Sequence, residues 1–150
     1  MGEQSRRAGL PSLRARPLTR GEAVGVVLAL ADPLSFWGGV DAHGRIIDVH
    51  HRDHGLRISG TVLVFPGGRG SSSSSSVLAE LIRSGQAPAA LVVARPDPII
   101  ALAALVADEL YGLAVPVVLV SGDDLRVASE WTRARVHSDP GRGTASVARC

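Results

Sequence analysis

The sequence predicts a mixed α/β domain, and three observations carry that prediction. Short runs rich in β-branched residues, Glu22–Leu30, Ile58–Phe65, Ala89–Ala94 and Val115–Val120, read as buried strands. Two segments of helical period, Val77–Ile82 and Ile99–Leu110, separate the later ones. Toward either end of the chain, strand-like runs follow one another without a helix between them. Strand–helix–strand–helix–strand in the middle implies parallel pairing through right-handed crossovers, and the ends imply a second, more antiparallel layer. The chain has 150 residues, enough for one domain, with 45% apolar but only 3% aromatic residues. Val, Leu, Ile and Ala must therefore fill the core, as strands buried on both faces require.

In chain order, residues 1–17 are polar, Arg-rich and without period, and are expected to form a flexible basic arm ahead of a domain over 18–150. Glu22–Leu30 is the first strand, and Ala31–Asp41 is a loop punctuated by Pro33 and the Gly38-Gly39 pair. Arg45–Val49 predicts a short strand, followed by a polar loop from His50 to Gly55. Ile58–Phe65 is a strand that ends at Pro66-Gly67-Gly68-Arg69-Gly70. The following helix ends at Gly85. After the Ala89–Ala94 strand, Asp97-Pro98 supplies an N-cap with proline at the first helical position, and that helix stops near Gly112. Val115–Val120 is a strand, and Asp123 or Asp124 is expected to cap a short helix. Arg135-Val136-His137, a turn at Asp139-Pro140-Gly141 and Thr144–Val147 close the chain.

Charge and cysteine content exclude several functions. The 16 basic and 14 acidic residues nearly balance. Arginines gather near both ends, but no aromatic residues interleave with them as a base-stacking surface needs, so nucleic acid is not an expected partner. Cys150 is the one cysteine, so no intrachain disulfide forms, and this thiol alone cannot hold an iron–sulfur cluster or zinc. His50, His51 and His54 look like a metal cluster, yet Arg52 and Asp53 among them mark an exposed loop, and no metal site is assigned. The longest apolar stretch, Pro98–Ala107, falls far below the roughly 18 residues of a membrane span. No signal peptide is evident, and a cytoplasmic protein is expected.

The strongest chemical signal is Gly67-Gly68-Arg69-Gly70-Ser71-Ser72, between a buried strand and a helix N-terminus. Glycines let backbone approach a ligand closely, and the amides of such a turn attract anions. Arg69 adds a planar fork for carboxylate or phosphate, and Ser71 and Ser72 place hydroxyls in the same positive field. The segment has neither the Gly-Lys-Ser/Thr ending of a P-loop nor the Gly-x-Ser-x-Gly elbow of hydrolases. From the residues alone the plainer reading is preferred, a serine-rich linker over Ser71–Ser76 in which Ser71 or Ser72 merely caps the helix.

Several motifs in fixed order resemble the aconitase X swivel domain. They are Ser35-Phe36-Trp37-Gly38-Gly39-Val40-Asp41, Ile47-Asp48 with His51, Gly60 through Ser72, Ala87-Pro88-Ala89-Ala90 and Asp97-Pro98-Ile99. The resemblance runs from about Arg20 to Val147 and departs from the family pattern at Ser73–Ser76 and at Trp131-Thr132. It implies a swivelling β/β/α domain with mixed parallel and antiparallel layers. It also implies a large partner subunit that carries the iron–sulfur cluster, and a hydro-lyase reaction on a small hydroxy acid. Family members dehydrate cis-3-hydroxy-L-proline or mevalonate 5-phosphate; the Ala-, Arg- and Gly-rich composition favours the first here. The resemblance implies that Ser71 is the proton acceptor, with the substrate hydroxyl departing on the partner's iron. Arg69 would anchor the substrate's anionic group and the Gly67, Gly68, Gly70 and Ser72 backbone would surround it. Phe36 and Trp37 suit either the core or contacts to the large subunit. The alternative of another class is a non-catalytic anion-binding or carrier module; no histidine stands at the glycine turn to carry a phosphoryl group.

Overall fold

The computed structural model describes residues 10–150. Its strands are β1 (Ser12–Arg14), β2 (Arg16–Thr19), β3 (Gly21–Ala29), β4 (Val62–Val64), β5 (Ala90–Val93), β6 (Val117–Leu119), β7 (Arg133–Asp139) and β8 (Thr144–Arg149). The helices are α1 (Ser74–Arg83), α2 (Pro98–Tyr111) and α3 (Gly122–Ser129). The strands join in the order β1-β8-β7-β3-β4-β5-β6-β2. One half of this order is antiparallel, β1 to β8 to β7 to β3. The other is parallel, β3 to β4 to β5 to β6, with β2 antiparallel at its edge.

The junction is β3. Its residues Gly21–Val26 pair with β7, whereas Val27–Ala29 pair with β4. The sheet turns over at this strand, so the antiparallel half lies against one face of the parallel half. Side-chain alternation shows it. Val62, Val64, Val92 and Val118 point into a core shared with Ala134, Val136 and Val147 of the antiparallel half. Their neighbours Leu63, Phe65, Leu91 and Val117 point the other way, into a core closed by Leu78 and Leu81 of α1 and Ile100 and Ala104 of α2. Both faces of β4 and β5 are thus buried, which accounts for their unbroken apolar sequence. In β7 one face is wet, and Arg133, Arg135 and His137 alternate with the buried Ala134, Val136 and Ser138. The three layers are the expected β/β/α arrangement.

Four local expectations are corrected. The expected arm holds β1 and β2, which pair with β8 and β6; residues 1–9 of it lie outside the described residues. Leu13 and Ala15 reach the core between the sheets while Arg14 and Arg16 face solvent, a two-residue period hidden by its shortness. Arg45–Val49 is not a strand; it is held by isolated bridges from Val40 to Ile46 and from Arg45 to Arg57. The strand read over Ile58–Phe65 narrows to Val62–Val64, because Gly60 takes φ +71° in a turn that returns the Thr61 amide to the Ile58 carbonyl. The cap of α3 is Ser121, whose hydroxyl accepts the Asp124 amide at 3.1 Å, and both aspartates lie inside the first turn. Both ends of α2 follow the sequence: Asp97 caps it and Gly112, with φ +67°, terminates it.

Two small devices hold the edges. Across the register shift of β2, the buried Thr19 hydroxyl donates to the Val115 carbonyl at 2.8 Å and accepts the Val117 amide at 2.9 Å, standing in for a ladder rung. In the loop after β3, one oxygen of Asp41 accepts the amides of His43 and Arg45 at 2.9 and 3.0 Å. The Arg45 amide, with the smaller pull of His43, outweighs partial burial and holds this carboxyl below the ordinary carboxylate range.

Thr19→Val keeps the shape but leaves two buried backbone groups without partners. It should destabilise the chain by about 1–3 kcal/mol in urea titration; an unchanged midpoint would mean that β2 is a loose arm after all.

Asp41→Asn keeps the acceptor oxygen and removes the charge. Because the folded carboxyl is the stronger acid, its stabilisation is fully present above about pH 4 and fades as pH falls further. The stability difference between wild type and Asp41→Asn should therefore shrink from pH 6 to pH 3 when followed by denaturant unfolding. A difference that widens would contradict the assignment.

Candidate functional site

The site forms where β4 and β5 end on the helix side of the sheet. Beyond β4 the chain continues through Pro66 to the glycine turn, and the loop after β3 runs beside it. Leu34 bridges to Gly68 in parallel: its amide donates to the Gly67 carbonyl at 3.1 Å, and its carbonyl accepts the Arg69 amide at 3.2 Å. On the other side, Asp97 accepts the Gly68 amide on Oδ2 at 2.7 Å and the Ile100 amide on Oδ1 at 3.1 Å. Gly70 then reverses the chain with φ +98°, and a Cβ there would stand 3.0 Å from the Ser35 hydroxyl, so both conformation and space demand glycine.

The serine run is the entry to α1. The Ser71 hydroxyl accepts the Ser73 amide at 3.0 Å, and the amides of Ser74, Ser75 and Ser76 return to the carbonyls of Ser71, Ser72 and Ser73. A tight turn thus precedes the α-helix, and the linker reading of Ser71–Ser76 is corrected. The N-cap of α1 is Ser73, without a side-chain cap bond, rather than Ser71 or Ser72. The Ser71 hydroxyl steadies the turn before it, stays exposed and keeps a free lone pair. Among the described residues, the amides of Gly70, Ser71 and Ser72 meet no protein acceptor. Those of Gly68 and Arg69 are consumed internally, so the Gly68 amide is unavailable to a ligand, against the expectation for that residue.

A cavity of about 190 Å³ opens here, lined by Leu34, Phe36, Gly68, Arg69, Gly70, Ser71, Ser74, Pro96, Asp97 and Ile99. Its floor is apolar and its rim carries the turn, the arrangement of a small-molecule site with few placed polar groups. Arg69 extends into solvent, and its guanidinium lies 3.7 Å from Asp48. That pair is loose and exposed, so an incoming anion can compete for Arg69. Gly67 and Ser72 lie in the same turn, Gly67 buried and Ser72 exposed.

The remaining expectations divide. Phe36 is buried in the helix-side core, whereas its neighbour Trp37 is 58% exposed. The Trp37 amide donates at 3.1 Å to the hydroxyl of buried Ser74, a residue of the cavity wall, which fixes the Trp37 backbone next to it. His51 is buried: Nδ1 accepts the Asp53 amide at 3.0 Å, leaving Nε2–H to donate to the Pro33 carbonyl at 3.2 Å. Both ring nitrogens thereby hold the loop together. Sequence reasoning missed Asp97, Asp48 and Ser74 as members of the site. Asp97 was legible as a helix cap, but nothing in one dimension places its second oxygen on a glycine 29 residues earlier.

No described helix is long and apolar enough to cross a membrane. A family model for the aconitase X swivel domain matches residues 12–146. The chain is 46% identical over 121 residues to the cis-3-hydroxy-L-proline dehydratase of Pseudomonas aeruginosa, a match spanning 79% of this chain and 21% of that protein. It thus spans only about a fifth of the length of the hydroxyproline dehydratases it resembles. Similarity to the phosphomevalonate dehydratase small subunit of Thermococcus onnurineus is 35% over 130 residues, covering 86% of this chain and 94% of the relative. The crystal structure of Thermococcus kodakaraensis aconitase X in its holo-form superposes with a TM-score of 0.72 at 33% identity, over 91% of this chain and 98% of that one. By sequence and by fold alike, the chain belongs to the aconitase X swivel-domain family.

Proposed function

We propose that this chain is the small, swivelling subunit of a two-chain iron–sulfur dehydratase, and that Ser71 is the base that removes the substrate proton. The observation that carries the reading is the exposed Ser71 hydroxyl beside three uncommitted amides at the rim of a small cavity, with Arg69 above it. An alcohol is a weak acid, so a serine base needs its alkoxide stabilised. The Gly70, Ser71 and Ser72 amides and the positive end of α1 supply that field. Arg69, released from Asp48, pairs with the substrate's carboxylate or phosphate and orients the acidic C–H toward Ser71 Oγ.

The cluster belongs to the partner. This chain's donors do not fit one: its single thiol is the exposed Cys150, and no three His, Cys, Asp or Glu side chains gather as a metal site among the described residues. The exposed Trp37 beside the cavity suits a contact to that large subunit, as aromatic residues are enriched at such interfaces. Relatives named as small subunits support the two-chain arrangement. One thiol and a partner-borne cluster suit a reducing, cytoplasmic compartment. Among substrates, cis-3-hydroxy-L-proline is favoured by the 46% identity to its dehydratase. Mevalonate 5-phosphate is the second reading, favoured by the near-complete coverage of the Thermococcus small subunit. Supplying each acid to the reconstituted complex decides between them, and dehydration of the phosphate ester alone would reverse the choice.

In that complex Ser71→Ala should lower turnover by about 10²–10⁴-fold, the usual loss on removing a general base. Melting temperature should change little, and Ser72→Ala and Ser73→Ala should keep turnover, because neither hydroxyl holds the proposed place. Solvent exchange of the substrate proton should be lost together with turnover. If Ser71→Ala turns over near the wild-type rate, Ser71 only steadies the turn before α1 and the base lies elsewhere.

Arg69→Ala should raise KM at least tenfold, in keeping with a lost charge-assisted hydrogen bond of about 1.5–3 kcal/mol. An unchanged KM removes Arg69 from the substrate site.

A further inference from the structure

We infer that Asp97 is a positioning residue for the proposed base: its carboxylate ties the glycine turn to the start of α2 and so sets where Ser71 stands. The inference rests on the reading of Ser71 above and extends it to a residue that touches no substrate.

The parallel ladder between β4 and β5 runs out just before the site. The Phe65 amide donates to the Val92 carbonyl at 3.1 Å, and the Ala94 amide to the Pro66 carbonyl at 3.3 Å. One step further, the chain after β5 turns away through Arg95 and Pro96 into α2 and presents no carbonyl to the turn. The Gly68 amide has therefore lost its backbone acceptor, and a side chain takes the vacant rung: Asp97 Oδ2 lies 2.7 Å away. The other oxygen, Oδ1, caps α2 through the Ile100 amide. One carboxylate thus serves two amides on two elements, one at each oxygen, whereas serine or asparagine offers a single acceptor oxygen.

Packing leaves the contact no slack. A Cβ on Gly68 would meet Asp97 Oδ2 at 2.7 Å and Ile100 Cδ1 at 3.2 Å. Between Gly68 and Ser71 the only other backbone anchor among the described residues is the Arg69 amide on the Leu34 carbonyl. Gly70, at φ +98° and packed against Ser35, is the single residue between that anchor and the serine. Displacing a reacting group by about 1 Å costs on the order of 10²-fold in rate. Losing this tether should thus be felt in kcat more than in KM.

Asp97→Ser separates the two jobs, since a serine hydroxyl caps a helix about as well as aspartate but is too short to reach Gly68. In the isolated chain, amide hydrogen exchange read by NMR should quicken on the order of tenfold at Gly68 and stay unchanged at Ile100, with the melting temperature close to wild type. In the reconstituted complex kcat should fall about ten- to a hundredfold while KM moves less. Gly68→Ala, which pushes the carboxylate away from the other side, should lower kcat similarly, and the double variant should be no worse than either single one. Unchanged exchange at Gly68 overturns the tether, and quickened exchange with unchanged kcat overturns its role in positioning. Because exchange is read without partner or substrate, failure of the base assignment shows itself separately, as turnover surviving Ser71→Ala.

Discussion

A single strand serves two sheets, and the rest of the fold is placed by that sharing. The first six residues of β3 pair antiparallel with β7 and the last three pair parallel with β4, so the ladder is handed on within nine residues. A sheet that continued flat would expose one face of β4 and β5. Turning over at β3 covers that face with the antiparallel layer and leaves the opposite face for α1 and α2. Gly25 sits inside this transition, where a Cβ would come within 3.1 Å of the Gly60 carbonyl. The close approach of the two backbones thus favours a residue without a side chain.

Doubly buried parallel strands have a second consequence. At their carboxyl ends the backbone leaves the sheet, and ligands of open α/β sheets gather outside the carboxyl ends of such strands. Here the ends of β4 and β5 diverge, one into the glycine turn and the other into α2. The gap between them is the cavity lined by Gly68, Ser71, Asp97 and Ile99. Its polarity comes from backbone: amides left over when a turn and a helix start meet, which are preorganised and need no side chain to be charged. Arg69 adds one mobile cation above them, already balanced by Asp48 at 3.7 Å.

The loop between β3 and β4 completes the site although it contains no strand of its own. Phe36 buries itself in the helix-side core and Leu34 bridges to Gly68, so the intervening Ser35 is brought against Gly70. Asp41 and His51 each satisfy backbone amides within this loop, replacing the ladder that strands would have provided. Trp37 is carried outward by the same geometry. Its backbone amide is held by the buried Ser74 hydroxyl while the indole stays 58% exposed.

Sequence alone determined the features that depend on local period and local chemistry. The apolar runs of β5 and β6, the helical spacing of α1 and α2, the Asp97-Pro98 cap and the Gly112 stop were all legible, because each is set by residues within one turn or one strand. The glycine turn and its serine were legible as a motif. Tertiary structure decided whatever depends on partners distant in sequence. Leu13 and Ala15 form an edge strand only because β8 lies beside them, and their two apolar positions are too few to announce it. The backbone of Gly68 is withdrawn from any ligand only because Asp97 stands 29 residues later on the neighbouring element. Hydrogen bonds and burial in such places are properties of juxtaposition, and no residue carries them before the chain has folded.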